Sequence, residues 1–132
     1  MTTPAKSLTT LEYDKVIARL GGMTQTTRGK ALALALRPSP EYGEVLRRQR
    51  LTAEGRRLRE MKPNLGLGAV GDIGTLAHQA GLGHVLEPAE LLDVQATLAQ
   101  AHTVRETIDR LRIYVPYLAE IADRVGDFRQ IT

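Results

Sequence analysis

The sequence predicts an all-α fold, an irregular bundle of about six helices in which the two longest lie antiparallel. Three observations predict it. Apolar residues recur at spacings of three and four, Ala and Leu fill the one stretch where alternation could suggest a strand, and Pro or Gly separates the helical stretches. The 132 residues suit one domain, which we take to be a single helical domain over 1–132.

A capping box marks the first predicted helix. Thr9 stands three residues before Glu12, so Thr9 is expected to cap the helix while Glu12 reaches back to the Thr9 amide. An apolar side follows, and the pair Gly21-Gly22 is expected to end the helix because glycine accepts positive φ there.

The second predicted helix runs from about Thr26 to Leu36. Its leucines alternate with other residues, as on a strand, but the residues between them are alanines. Because Ala and Leu are strong helix formers and Ala is rare in strands, the helix is favoured. Pro38 is expected to stop it.

The third predicted helix begins near Ser39, with Pro40 as its first residue, and runs to about Met61. Gly55 is a weak point inside it, costing about 1 kcal/mol relative to Ala. Its polar residues are heavily basic: Arg47, Arg48, Arg50, Arg56, Arg57 and Arg59.

Three further helices are predicted after a glycine-rich stretch. Asp72 is expected to cap a short helix that ends near Ala80, Pro88 to open a long one, and Pro116 to open a last one that ends at Gly126. The long helix carries a stripe of apolar residues at spacings of three and four: Leu91, Val94, Leu98, Ala101, Val104, Ile108 and Leu111.

Composition excludes several classes of site. The chain has no Cys, so disulfides, thiolate metal sites and cysteine nucleophiles are ruled out. Its three His are not at metal-binding spacing, and Ser7 and Ser39 both suit caps, so we predict no catalytic, cofactor or metal residue in this chain. No signal peptide or apolar run of about 20 residues occurs, and we expect a cytoplasmic protein without membrane contact.

Two glycine motifs resemble nucleotide-binding loops. Gly66, Gly68 and Gly71 match G-x-G-x-x-G, but that motif works only between a strand and a helix, and no strand is predicted. "TQTTRGKA" fails as a phosphate loop because Thr24 replaces its first glycine and Ala31 its magnesium-binding hydroxyl. We therefore expect Gly66, Gly68 and Gly71 to form a flexible hinge between helices.

The arginine cluster leaves alternatives open. Glu44 lies four residues before Arg48, and Glu54 lies three before Arg57, so the cluster can be a solvated helix face held by ion pairs. It can also contact nucleic-acid phosphate or an acidic protein surface. A further alternative is a small helical enzyme with an inward-facing arginine pocket. The residues proposed for phosphate contact are Arg47, Arg48, Arg50, Arg56 and Arg57.

Taken in order, these segments resemble the N-terminal region of a known family. "LTTLEYDKVIARL" at 8–20, "TTRGKALALALRPSPEYGEVLRRQRLTAEGRRL" at 26–58 and the stretch from "LGLGAVGDIG" through "LEPAELL" to "VRETI" at 65–108 are similar to the MutS type-two family. The resemblance covers about residues 8–125. Glu87 departs from it, standing where a small N-capping residue is more usual.

The resemblance implies a non-catalytic helical core or lever fragment that supports dimer contacts. The longer parent would be a homodimeric P-loop ATPase and Smr-type endonuclease that requires ATP and magnesium. It would bind branched DNA to suppress homologous recombination, or bind ribosomal RNA and split collided ribosomes. The family's ATPase and nuclease segments have no counterpart here, and "GDFRQIT" has no natural stop signal. We therefore expect a piece of a longer protein and carry over no family site residue.

Overall fold

The computed structural model describes residues 4–127. Within that range it contains helices and no strand, so the all-α prediction is confirmed, with seven helices in place of about six. Residues 128–132, which include most of the "GDFRQIT" ending, lie outside the described range. The helices are α1 (Ala5–Thr10), α2 (Tyr13–Gly22), α3 (Thr27–Ala35), α4 (Tyr42–Met61), α5 (Gly74–Gly81), α6 (Pro88–Arg110) and α7 (Pro116–Ala122).

The first helix is the main correction to the sequence-based prediction. The chain forms α1 and α2 where one helix was predicted, because Pro4 begins a helix earlier and its carbonyl accepts from the amide of Ser7 at 3.0 Å. The Thr9 hydroxyl therefore donates to the Ala5 carbonyl within α1, at 3.1 Å, and caps nothing. Glu12 takes a left-handed conformation, with φ of 52°, at the turn into α2.

The predicted start of the second helix is confirmed. Thr26 is extended, with φ of −129°, and its hydroxyl accepts from the Gly29 amide at 2.9 Å. The resulting helix, α3, packs closely on α2. A Cβ atom at Gly21 would lie 2.9 Å from a methyl carbon of Leu34, so the missing side chain lets the two helices approach.

Two other helix starts differ in detail from the prediction, whereas α6 begins at Pro88 as predicted. α4 begins at Tyr42, because the Ser39 hydroxyl accepts from the Glu41 amide at 3.2 Å and forms a turn before the helix. α5 begins at Gly74, whose amide donates to Asp72 at 3.3 Å. At the start of α6 the Glu87 amide donates to Glu90 at 2.8 Å, so this helix has a stabilised start despite its unusual cap.

The core lies where α7 packs against the two long helices, α4 and α6. The long helices make little backbone contact with each other, so α7 mediates the association that the sequence predicted for them. The apolar stripe of α6 is buried at Ile108 and exposed at Leu91. The buried core residues are Ile108, Val115, Ala119 and Ala122, and Leu58, Met61, Val104, Leu111 and Leu118 pack around them.

The chain is open for its size. It exposes 10043 Å² to solvent, whereas a compact monomer of this mass would expose about 6,900 Å². Large apolar side chains on α2, on α3 and in the segment between them account for part of this area, among them Val16, Met23 and Leu32.

Candidate partner surface on the arginine-rich helix

Glu54 is the buried charged residue of α4, with 7% of its surface exposed. Its two carboxylate oxygens accept from the amides of Tyr117 at 3.1 Å and Leu118 at 2.8 Å. These amides lie in the first turn of α7, where backbone donors have no partner within the helix and a negative charge is favourable. Glu54 therefore caps α7 from a different helix.

This role corrects the predicted pairing of Glu54 with Arg57. Sequence reasoning missed the cap because Tyr117 lies 63 residues away along the chain. One signal was present: Val115, the residue before Pro116, has no side-chain acceptor. A helix that starts with such a residue needs an acceptor from elsewhere.

Arg50 and Arg57 are used in the same contact between α4 and α7. Arg50 donates to the Tyr117 hydroxyl, and its guanidinium lies 5.5 Å from the centre of that ring. Arg57 donates to the backbone carbonyl of Tyr114 at 3.0 Å. Both side chains are exposed. Because some of their N–H donors already bond within the chain, fewer donors of each guanidinium remain for a phosphate.

Arg47 and Arg48 lie around Glu44, near the start of α4. Arg48 donates to the Glu44 carboxylate at 2.8 Å, which confirms this predicted pair, and to the Arg37 carbonyl at 2.6 Å. Arg47 is looser, at 3.6 Å from the same carboxylate. The hydrogen bond from Arg48 lowers the pKa of Glu44 below its usual value, and the charges of both arginines act in the same direction.

Arg56 is the member of the predicted phosphate set that makes no ion pair or hydrogen bond within residues 4–127. It lines a shallow groove of about 280 Å³ together with Arg48 and Thr52. The structure thus divides the predicted cluster into three parts: Arg50 and Arg57 bond to residues near the start of α7, Arg47 and Arg48 lie around Glu44, and Arg56, which we call uncommitted, has no bonding partner among the described residues. Since all of them except the half-buried Arg48 are exposed, α4 does not form the inward-facing arginine pocket of a small enzyme.

The glycine-rich loop, residues 62–73, connects α4 to α5 with no strand before it. The context required by a dinucleotide-binding turn is therefore absent. None of Gly66, Gly68 and Gly71 has a positive φ, and a Cβ atom at Gly71 would lie at an ordinary 3.5 Å from the side-chain oxygen of Thr97. The proposed hinge at these glycines stays a prediction.

Polar contacts hold this loop to two parts of the chain. Thr97 accepts from the Gly71 amide at 3.0 Å, and Gln100 donates to the Gly66 carbonyl, so the loop lies along α6. Gln25 accepts from the Leu67 amide at 2.8 Å. The loop thus links the N-terminal helices to α6.

An ion-pair cluster fixes the corner between α6 and α7. Arg112 lies 2.7 Å from Asp109 and 2.5 Å from Asp123. The hydrogen bonds from Arg112 lower the pKa of Asp123, and the pKa of Arg112 is raised by the same contacts. Among residues 4–127 no group of His, Asp and Glu side chains is arranged to hold a metal ion. None of the helices described is long and apolar enough to cross a membrane.

Comparison with curated proteins finds relatives over most of the chain. It is 33% identical over 117 residues, 89% of its length, to the endonuclease MutS2 of Pelotomaculum thermopropionicum. It is 31% identical over 126 residues, 96% of its length, to the protein of that name from Symbiobacterium thermophilum. The chain spans 15% and 16% of the length of these two relatives. No family model matches the chain, and no solved structure matches it.

Proposed function

Because the chain belongs to the MutS2 family and matches the N-terminal region of its members, we propose that it is a non-catalytic helical core or lever module. In this proposal the module belongs to a homodimeric DNA-binding ATPase and endonuclease of the cytoplasm. ATP and magnesium bind to other parts of that protein.

The main support for this proposal is the extent of the match between the chain and its relatives. Relatives named as endonucleases align with 89% and 96% of the chain, although the chain covers 15% and 16% of them. Most of each relative therefore lies outside the segment that matches this chain, and the catalytic residues of an endonuclease can lie there.

The arrangement of the long helices suits a lever. α7 packs against both α4 and α6, and Glu54 binds the start of α7 through two hydrogen bonds. A displacement of α4 would therefore move α7 and α6 with it, because buried hydrogen-bonded contacts resist separation. In the proposed parent this corner connects the nucleic-acid-binding end to the ATPase, and residues 66–71 are the point of bending.

A chimera tests this function. The segment of the Pelotomaculum thermopropionicum protein that aligns with this chain would be replaced by the 132 residues. We expect the chimera to retain ATP hydrolysis, DNA cleavage and dimerisation, and the 132-residue chain alone to show neither activity. ATP hydrolysis by the chain alone, or a folded chimera without either activity, would contradict the proposal. Assays with branched DNA and with collided ribosomes would then identify which substrate the parent acts on.

A second candidate function is direct phosphate binding by α4, and the uncommitted Arg56 favours it. Arg47 adds to this surface because its side chain is 49% exposed and its ion pair is long, at 3.6 Å. We expect salt-dependent binding of DNA or RNA by the chain, lost when Arg47, Arg48, Arg56 and Arg57 are replaced by Ala. Replacing Arg56 alone should give a larger loss than replacing Arg50, which is engaged with Tyr117. If the two replacements weaken binding equally, the binding depends on the net charge of the chain and not on the position of Arg56.

A further inference from the structure

A basic surface on α2 and α3 takes no part in the proposed lever. Residues 15–40 contain no Asp, no Glu and no aromatic residue. The same stretch carries five cationic residues: Lys15, Arg19, Arg28, Lys30 and Arg37. A run of one charge sign on ordered helices points to a partner of the opposite sign.

Large apolar side chains are exposed among these cations. Leu32 is 74% exposed, Met23 67% and Val16 59%. Val16 and Leu20 are four residues apart and share one face of α2, and Arg28 and Leu32 share one face of α3. We call the exposed set the α2–α3 surface; it comprises Val16, Leu20, Met23, Leu32 and Leu36 with Arg19, Arg28 and Lys30.

The cations of this surface are largely available. Within the described range, Arg19 and Lys30 make no ion pair. Arg28 makes a long one, 3.5 Å to Asp72, and its side chain is 77% exposed. A helix such as α3, with apolar residues on every side, is expected to be covered on more than one face, yet it packs here against α2 and leaves Leu32 in solvent.

We propose that the α2–α3 surface docks a helical protein segment that presents apolar side chains flanked by Asp or Glu. The apolar side chains would cover Leu32 and its neighbours, and the carboxylates would pair with Arg19, Arg28 and Lys30. Recognition of this kind, an amphipathic helix laid on an apolar surface with charges at its edge, is a common mode of peptide binding.

Charge and composition distinguish this partner from three others. A second copy would place the three cations of this surface against the same three, with no acidic residue in either 15–40 stretch, which is unfavourable. Nucleic acid would neutralise the cations but leave the leucines exposed, and residues 15–40 offer no aromatic ring for base stacking. A membrane surface selects helices with separate apolar and charged faces; α2 has such faces, but the residues of α3, which carries Leu32, are apolar on opposite sides. The inference does not depend on the lever proposal.

Fluorescence anisotropy with a labelled synthetic peptide tests the proposal. The peptide is helical, with leucines along one face and glutamates on both flanks, and a matched peptide carries lysines in place of the glutamates. We expect the 132-residue chain to bind the glutamate peptide at least about tenfold more tightly than the lysine peptide. Leu32→Ser and Val16→Ser should each weaken binding of the glutamate peptide about tenfold or more.

Leu92→Ser is the matched control, because Leu92 is also exposed, at 63%, but lies on α6. It should leave peptide binding unchanged. Circular dichroism checks that the variants keep their helices, and the exposed positions chosen make unfolding a minor concern. Equal binding of the two peptides, or none of either, would overturn the proposal. So would a dimer in sedimentation that Leu32→Ser abolishes, or binding to phosphatidylserine vesicles without binding to the glutamate peptide.

Discussion

The N-terminal unit, α1–α3, and the corner formed by α4, α6 and α7 are both three-helix arrangements, but they are held together differently. In the corner, Val115 and Ala119 are fully buried, and Glu54 adds hydrogen bonds between helices. In the N-terminal unit the residues buried are Ile17 and Gly21. The contrast teaches that contacts among its own helices stabilise the corner, whereas the N-terminal unit leaves apolar surface exposed that a partner can cover.

The largest expected effect compares one isoleucine from each region. Ile17 and Ile108 are both 8% exposed, so each loses a similar transfer free energy when replaced by Ala. Ile108 packs among several other apolar residues of the core cluster, whereas Ile17 is the one apolar side chain that is buried in α1–α3. We expect Ile108→Ala to lower the free energy of unfolding by about 3 kcal/mol and Ile17→Ala by about 1–2 kcal/mol, measured by urea denaturation. Equal losses would remove the contrast between the two regions.

The next effect tests the cap within the corner. Glu54→Ala removes the acceptor of two amides and leaves them unpaired in a partly buried place, so we expect a loss of about 2 kcal/mol. Glu44→Ala is the control, since Glu44 lies on the same helix and pairs with the side chains of Arg47 and Arg48. Its loss should be clearly smaller than that of Glu54→Ala, because exposed ion pairs contribute little to stability. If thermal denaturation gives the same loss for both variants, Glu54 is not the residue that joins α7 to α4.

A pair of glycine substitutions should have smaller effects of opposite sign. Gly55 lies inside α4, and a Cβ atom there would meet nothing within 4 Å. Gly55→Ala should therefore raise stability by about 0.5–1 kcal/mol, because alanine favours the helix. Gly83 has φ of 87°, so Gly83→Ala should lower stability by about 1 kcal/mol. A loss of stability for Gly55→Ala in urea denaturation would mean that α4 needs its flexible point.

The smallest expected effect concerns how the free energy of unfolding declines at acidic pH. Arg112 lowers the pKa of Asp123 in the folded chain, so the ionised pair stabilises the corner above the unfolded pKa of about 3.9. That contribution is lost as the pH falls through the lower, folded pKa. Asp123→Asn should therefore show a smaller decline of unfolding free energy between about pH 6 and about pH 2 than the parent chain. Parallel declines for the two proteins would show that the pair contributes nothing in solution.

Local signals in the sequence predicted much of the fold. The second helix starts near Thr26 as expected, because the residues that decide this start, among them the capping Thr26, are immediate neighbours in the sequence. Thr9 fails as a cap because Pro4 starts a helix before it, a competition between two local signals that the sequence does not rank. Of the arginine set, the pairing of Glu44 with Arg48 was predictable from spacing. The occupation of Arg57 by a carbonyl 57 residues away was not, because it depends on tertiary packing.

The cap on α7 also has a consequence for the order in which the chain folds. A helix of seven residues is too short to persist by itself in water. The amides of Tyr117 and Leu118 in its first turn need an acceptor from outside the helix. That acceptor, the Glu54 carboxylate, lies 63 and 64 residues earlier in the sequence. Closing so long a loop is entropically expensive and slow. We therefore expect α7 to become stable only after α4 is in place, and amide exchange in α7 to report on assembly of the whole corner.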